Sequence, residues 1–110
     1  MNNVNIIIDK FINDFNLYAN NMHLDFDVEC CLPIDFDETN NILTLKLILA
    51  VVLNKYDYPH LDYSMSLLVD TYKNTMKNDN NLIDVTYLIT DKTNNKYYMY
   101  MPVLIKYKII

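Results

Sequence analysis

This chain of 110 residues contains no glycine, tryptophan, arginine or glutamine, and it has only two cysteines. Without glycine it cannot build the glycine-rich loops that cradle phosphates, the dinucleotide-binding fingerprint or the nucleophile elbow of hydrolases. These absences argue against nucleotide-dependent chemistry, and we predict no cofactor.

The lack of arginine also bears on nucleic acids, because binding them requires clustered basic side chains that displace counterions. The net charge is −5, and the charges are unevenly distributed along the chain. Residues 1 to 62 hold ten acidic residues and three lysines, whereas residues 63 to 110 hold four acidic residues and six lysines. No basic stripe extends beyond Lys106 and Lys108. We therefore predict no direct nucleic-acid binding.

Long apolar segments are also missing. The longest apolar run, Ile42 to Leu53, has twelve residues and includes Lys46, whereas a helix that spans a bilayer needs roughly 20. The first residues lack the basic region of a signal peptide. The adjacent Cys30 and Cys31 cannot supply a disulfide framework, which favours a reducing compartment. We predict no membrane insertion. The expected location is intracellular, in the cytoplasm of the cell that makes the protein or of a host cell.

Asparagine is abundant, with sixteen residues, and it takes the place of glycine in the predicted turns. Tight hairpins need residues that tolerate positive φ, and without glycine only Asn and Asp do so at low steric cost. Three Asn-Asn pairs with neighbouring Asp residues separate segments of alternating apolar and polar residues: 37–41, 77–81 and 91–95. These asparagine turns between alternating segments predict antiparallel strands. The residue usage also resembles that of an AT-rich genome, such as those of some viruses and parasites.

Hydrophobic periodicity predicts the individual elements. Apolar residues at spacings of three and four indicate an amphipathic helix over residues 3–21. Alternation indicates strands, and the predicted ranges are 24–31, 42–53, 63–69, 83–89 and 97–109, with a loop over 54–62. A short helix remains an alternative for 42–53. Pro102 cannot donate a hydrogen bond within a sheet, so we predict that the last strand lies at an edge.

The predicted fold is a single α+β domain over residues 1–110, in which the N-terminal amphipathic helix packs on a five-stranded antiparallel meander sheet. Five strands span roughly 24 Å, but one helix covers only about 10 to 12 Å. We therefore expect an apolar surface that a neighbour must cover. The expected function is a non-enzymatic protein-protein interaction module, either a homodimer or a small subunit of a larger assembly. It could serve as a viral or parasite accessory protein that binds another protein as an inhibitor or modulator.

The last strand is the predicted interface because it is long, rich in Tyr and Met and poor in charge. Tyr98 and Tyr100 should lie on the face away from the core, where they can provide contact area and hydrogen bonds. The expected interface residues are Tyr98, Met99, Tyr100, Met101, Val103 and Ile105.

The alternative function is a small hydrolase or a divalent-cation-dependent enzyme that uses acidic residues and His60. The acidic candidates are Asp25, Asp27 and Glu29, the run 35–41, and the pair Asp57 and Asp62. Cys30 or Cys31 with His23 or His60 could form a nucleophile pair or contribute to a zinc site. Alternation instead places Cys30 inward as a small hydrophobe and Cys31 outward, so we predict neither catalytic nor metal-binding residues.

Overall fold

The computed structural model describes residues 2–24, 26–52, 58–88 and 98–109, without the side chains of residues 2, 3, 52, 58–60, 98 and 99. Within these ranges the chain forms two helices and four strands: α1 (Asn2–Asn21), β1 (Phe26–Asp37), β2 (Ile42–Val52), α2 (Tyr58–Thr75), β3 (Leu82–Tyr87) and β4 (Tyr98–Lys108). The strands form one antiparallel sheet in the order β1-β2-β4-β3. The α+β class and the N-terminal helix on an antiparallel sheet are confirmed. The five-stranded meander is wrong, because the described sheet has four strands and β2 pairs with β4.

Helix α1 buries the apolar stripe that its spacing predicts. Phe11, Phe15 and Ala19 lie in the core, and Val4, Ile7, Ile8 and Ile12 pack partly buried against it. The helix ends in a Schellman motif, in which the Leu24 amide donates to the Ala19 carbonyl at 2.8 Å and the His23 amide to that of Asn20 at 3.1 Å. His23 takes the left-handed conformation, with φ of 57°, that glycine usually supplies at this position.

The turn between β1 and β2 confirms that asparagine replaces glycine. Asn41 has a φ of 56°, and Asp37 fixes the preceding residues by accepting hydrogen bonds from the Thr39 amide at 3.0 Å and the Asn40 amide at 3.3 Å. The Asn40 side chain donates to Asp37 at 2.9 Å, and these hydrogen bonds, those from Asn40 first, lower the pKa of the Asp37 carboxyl. The segment 77–81 connects α2 to β3, so it is not a hairpin turn. The predicted turn at 91–95 lies outside the described residues.

The core lies between the two helices and one face of the sheet, which we call the inner face. Strand β2 contributes every second residue to it, from Leu43 to Val51, and none of these is more than 3% exposed. Met101, Val103 and Ile105 of β4 lie beside them at 0% exposure. This placement confirms 42–53 as a strand up to Val52 and removes the helical alternative.

Helix α2 corrects two predictions, because residues 63–69 were expected as a strand and 54–62 as a loop. The helix begins at Tyr58 and continues to Thr75. Its buried residues follow helical spacing: Leu61, Met65, Leu68, Val69 and Tyr72. Tyr63 is 68% exposed and Leu67 is 43% exposed, although strand alternation would place both beside Met65. Pro59 in the first turn and Lys73 in the last turn fit a helix, because proline is tolerated at the start and a cation is favoured at the end.

Strand β4 is not an edge strand, which corrects the interpretation of Pro102. β4 lies between β2 and β3, and the edges of the described sheet are β1 and β3. The last pair between β3 and β4 is Tyr87 with Val103, and beyond it the Leu88 amide donates to the Pro102 carbonyl at 3.1 Å. The missing amide hydrogen of Pro102 therefore faces the end of β3, where ladder pairing stops.

The sequence predicted that helices would leave part of the apolar sheet face uncovered. For the inner face this prediction is wrong. Four strands span roughly 19 Å, and two helices side by side cover roughly 20 Å. The helices contact each other directly, since the Phe15 and Tyr72 rings stack with centroids 4.8 Å apart. Neither described helix has the length and apolar character needed to cross a membrane.

Candidate functional site

The opposite side of the sheet, which we call the outer face, carries the surface that the helices leave open. Strand pairing arranges its side chains in rows that run across the strands. One row contains Leu32, Lys46, Leu104 and Thr86; the next contains Cys30, Ile48 and Pro102, followed by Leu88; a third contains Asp27, Ala50 and Tyr100. Both helices contribute to the core on the inner face, so no described helix covers these rows.

Most residues in these three rows are apolar, and we call them the outer apolar patch: Cys30, Leu32, Ile48, Ala50, Leu88, Tyr100, Pro102 and Leu104. Leu32 and Leu88 are each 58% exposed and Tyr100 is 46% exposed, while the other members are partly buried by their neighbours. Three rows about 6.6 Å apart on four strands about 4.8 Å apart span about 400 Å² of sheet, of which the eight apolar positions cover roughly 250 Å². Contiguous exposed apolar patches of a few hundred Å² are often functional in monomeric proteins.

The rest of the described outer face is mostly polar. The next two rows contain Asp35, Thr44, Lys106 and Asp84, then Asp37, Ile42 and Lys108. The face is therefore divided along the strands into an apolar half and a charged half. A binding surface with an apolar centre and a polar border resembles the usual anatomy of protein interfaces.

The predicted interface residues divide between the two faces. Tyr100 lies in the outer apolar patch, as alternation suggested. Met101, Val103 and Ile105 form part of the core at 0% exposure, so they have no surface to offer a partner in this structure. The side chains of Tyr98 and Met99 lie outside the described residues. Sequence reasoning missed Ile48, Leu104 and Cys30. Ile48 and Leu104 were signalled only by apolar residues on both faces of their strands, and nothing in the sequence signalled Cys30.

No protein-family model, curated protein or solved structure matches this chain. The chemistry of the chain's surfaces is therefore the remaining guide to what it binds.

The exposed edge of β1 is protected against strand pairing. Its twelve residues include register shifts between Val28 and Cys30 and between Pro33 and Asp35, which interrupt a regular edge. The strand also contains Pro33 and four acidic residues, Asp27, Glu29, Asp35 and Asp37, without a single basic one. Bulges, proline and charge are the devices by which proteins prevent edge-to-edge association. The edge is therefore a poorer docking surface than the outer face.

The two cysteines have the opposite placement from the prediction. Cys31 is buried at 5% exposure on the inner face, and Cys30 is partly exposed on the outer face. The register shift at Glu29 inserts one residue and thereby reverses the alternation. Burial, with a contribution from Cys30, raises the pKa of the Cys31 thiol from 9.0 to about 11. Cys31 is therefore protonated at neutral pH, which argues against its use as a nucleophile.

The acidic candidates that the structure describes do not come together into a site. Asp35 and Asp37 lie in the charged half of the outer face, and Asp62 accepts a hydrogen bond from the Tyr87 hydroxyl at 2.9 Å. In the part of the chain that the structure describes, no three His, Cys, Asp or Glu side chains are placed to hold a metal ion. Asp25, Asp57 and the side chain of His60 lie outside that part, and His23 is an exposed residue at the end of α1.

One titratable cluster joins the two helices. The Tyr72 hydroxyl donates to Asp14 Oδ2 at 2.8 Å, and Lys10 Nζ donates to the same oxygen at 2.8 Å and to the Tyr72 oxygen at 3.3 Å. Lys10 Nζ also lies 5.0 Å from the centre of the Phe11 ring. Tyr72 is fully buried, so the cluster satisfies a hydroxyl that would otherwise lack a partner. We interpret it as a structural link between α1 and α2.

This cluster predicts a loss of stability at alkaline pH. Burial, and then the hydrogen bond to Asp14, raise the pKa of Tyr72 far above its ordinary value of 10.0. Tyr72 therefore stays neutral in the folded chain but ionises in the unfolded chain above about pH 10. The stabilisation by neutral Tyr72 is complete below pH 10. Above pH 10 the free energy of unfolding should fall by about 1.4 kcal/mol per pH unit. Urea titrations between pH 9 and pH 12 would measure this slope.

The matched control is Tyr72→Phe, which lacks the hydroxyl and should lose that part of the slope. Cys31 should also lower the free energy of unfolding as the pH rises, between about pH 9 and its folded pKa of about 11. Equal slopes in the wild type and in Tyr72→Phe above pH 10 would contradict the burial of this hydroxyl.

Proposed function

We propose that this chain is a non-enzymatic protein-interaction module that binds protein through the outer apolar patch. One observation carries the proposal: eight apolar residues, seven on β1, β2 and β4 and Leu88 just after β3, lie together on a face that the chain's own described helices do not cover. Covering Leu32, Leu88 and Tyr100 would remove large apolar side chains from water, which is the main driving force of association.

The patch has features that suit a docking surface. Strands hold its residues in fixed positions, so little conformational entropy is lost when a partner binds. Tyr100 supplies an aromatic ring and a hydroxyl at the margin of the patch, and tyrosine is enriched among residues that dominate binding energy. The wider role that we propose, an accessory protein that modulates another protein, rests on the small size of the chain and its AT-rich residue usage.

The test compares two substitutions on the same face of β2. Ile48 lies in the middle row of the patch, and Thr44, four residues earlier, lies in the charged half. Ile48→Asp should abolish association because it places a charge at the centre of the apolar surface. Thr44→Asp should leave association unchanged. Size-exclusion chromatography with light scattering would measure the particle mass of the full chain, both purified alone and isolated from its native cell.

Thermal denaturation provides the check on folding. Neither residue belongs to the core, so both variants should remain folded and lose no more than about 1 kcal/mol, the range of strand propensities. If Ile48→Asp keeps the particle mass of the wild type in both preparations, the patch is not the docking surface and the proposal is wrong.

A further inference from the structure

The outer apolar patch carries two opposite charges, one on each side of its middle row. Lys46 lies in the row of Leu32 and Leu104, and Asp27 lies in the row of Ala50 and Tyr100. Both side chains are exposed. Neither makes an ion pair with another residue among those that the structure describes. The middle row between them, which contains Cys30, Ile48 and Pro102, has no charge.

From this arrangement we infer that the partner is a second copy of this chain, docked outer face to outer face about a two-fold axis that runs along the middle row. The inference rests on the proposed function, because it names the occupant of the same patch. Two-fold dimers are the commonest oligomers, and they require a surface that is complementary to itself. The two charges provide that complementarity.

The axis fixes which residues meet. Residues of the middle row face their own counterparts, so Cys30 lies opposite Cys30 and Ile48 opposite Ile48. The rows on either side exchange places, so Lys46 lies over Ala50 of the second copy. Asp27 is the strand neighbour of Ala50, about 5 Å to the side, which is within reach of a lysine side chain. Symmetry forms this ion pair twice, at the two ends of the apolar contact.

A two-fold axis parallel to the strands is less favourable. It would place β1 over β3 of the second copy, with rows at equal height facing each other. Asp35 and Asp84 occupy the same row on these two strands, so the arrangement would oppose two carboxylates. It would also leave Lys46 over Leu104 without an acidic partner.

The size of the patch sets the expected strength of the dimer. About 400 Å² of sheet on each copy is below the roughly 800 Å² that each partner buries in a standard interface. We therefore expect a reversible dimer whose population rises with protein concentration. Its apolar centre and two rim ion pairs give it a defined orientation.

The adjacent cysteines provide a direct test of the orientation. Cys31→Ala leaves Cys30 in the middle row of the outer face, and Cys30→Ala leaves Cys31 buried in the core as the matched control. Packed sheets lie about 10 Å apart, which is too far for a direct disulfide but within reach of a short bis-maleimide. The reagent should link two copies of Cys31→Ala at concentrations where light scattering detects the dimer. It should not link Cys30→Ala.

Charge reversal tests the ion pair independently. Lys46→Glu and Asp27→Lys should each raise the dissociation constant about tenfold, because two rim pairs become repulsive. The double variant should restore the wild-type value. Lys106→Glu, on the charged half of the same face, is the control and should have little effect. Analytical ultracentrifugation of the full chain would measure these constants.

The outcomes separate this inference from the proposed function. A dimer that Ile48→Asp disrupts, but that neither links through Cys30 nor responds to charge reversal, would overturn the arrangement and leave the docking surface in place. A chain that stays monomeric at all concentrations would overturn the second copy as partner. In that case the mass of the assembly from the native cell, with Ile48→Asp and Thr44→Asp compared, would still decide the proposed function.

Discussion

Leu68→Ala is expected to lower the free energy of unfolding by about 2 to 5 kcal/mol, whereas Leu67→Ala should change it by less than about 0.5 kcal/mol. The two leucines are adjacent in α2, but Leu68 is fully buried and Leu67 is 43% exposed. Removing the Leu68 side chain leaves a cavity against the sheet, and the surrounding core relaxes only partly. Urea denaturation of both variants, monitored by circular dichroism, would measure the difference.

This pair also discriminates between a helix and a strand over residues 63–69. In a strand that alternates through Met65, Leu67 and Val69, the side chain of Leu67 would face the core and that of Leu68 would face solvent. The order of the two losses would then be reversed. Because both substitutions replace leucine by alanine, differences in transfer free energy and helix propensity cancel.

The same segment explains why the sequence predicted only part of the fold. Helix α1 could be predicted because Phe11, Phe15 and Ala19 follow helical spacing and most of its polar residues lie away from this stripe. In α2 the residues Tyr63, Met65 and Leu67 happen to alternate with Ser64 and Ser66, a pattern that only Leu68 breaks, and the seven-residue window is too short to distinguish the two periods. Extending the window from Leu61 to Tyr72 would have revealed the helical spacing.

Tertiary pairing accounts for the other errors. Alternation along β1 predicted Cys30 inward, but a bulge at Glu29 cannot be inferred from residue types, and it exchanges the faces of every residue until the next register shift. Pro102 suggested an edge because proline is excluded from paired positions. Pro102 is accommodated in β4, which has a neighbouring strand on each side, because β3 is short and ends at Tyr87.

The candidate site was predictable to the same limited extent. Alternation in the last strand was sufficient to assign Tyr100 to the face away from the core. Ile48 and Leu104 belong to segments that are apolar on both faces, so their assignment to the outer face needed the register of β2 with β4. The sequence indicated an uncovered apolar surface, but the second helix shows that this surface is the outer face and not the inner one.

The two sides of the sheet thus have different physical roles. The inner face is closed by two helices that interlock through aromatic rings, and it contains no buried side-chain polar atom without a hydrogen-bond partner among the described residues. The outer face exposes apolar residues, and the long edge of β1 carries the charge, proline and bulges that limit strand pairing. This distribution suits association through the outer face better than strand pairing at the β1 edge. Strand pairing at an edge would lead to open-ended assembly.

Tyr72→Ala is expected to have the largest effect on stability, with a loss of about 3 to 5 kcal/mol, the range for removing a buried aromatic side chain. Among the described residues Tyr72 is the largest fully buried side chain, and its ring lies 4.8 Å from that of Phe15, 5.3 Å from that of Tyr18 and 6.2 Å from that of Phe11. The substitution removes the contacts by which α2 is held against α1, and it leaves Asp14 with Lys10 alone.

Because a small domain has only about 5 to 15 kcal/mol of total stability, Tyr72→Ala could prove too unstable to purify. Tyr72→Phe retains the ring and removes only the hydroxyl, so it should lose about 1 kcal/mol, the usual net contribution of one hydrogen bond. Urea denaturation of the wild type and both variants would then divide the contribution of Tyr72 between its ring and its hydroxyl. A loss in Tyr72→Phe as large as that in Tyr72→Ala would show that the hydrogen bond to Asp14, and not aromatic packing, holds the helices together.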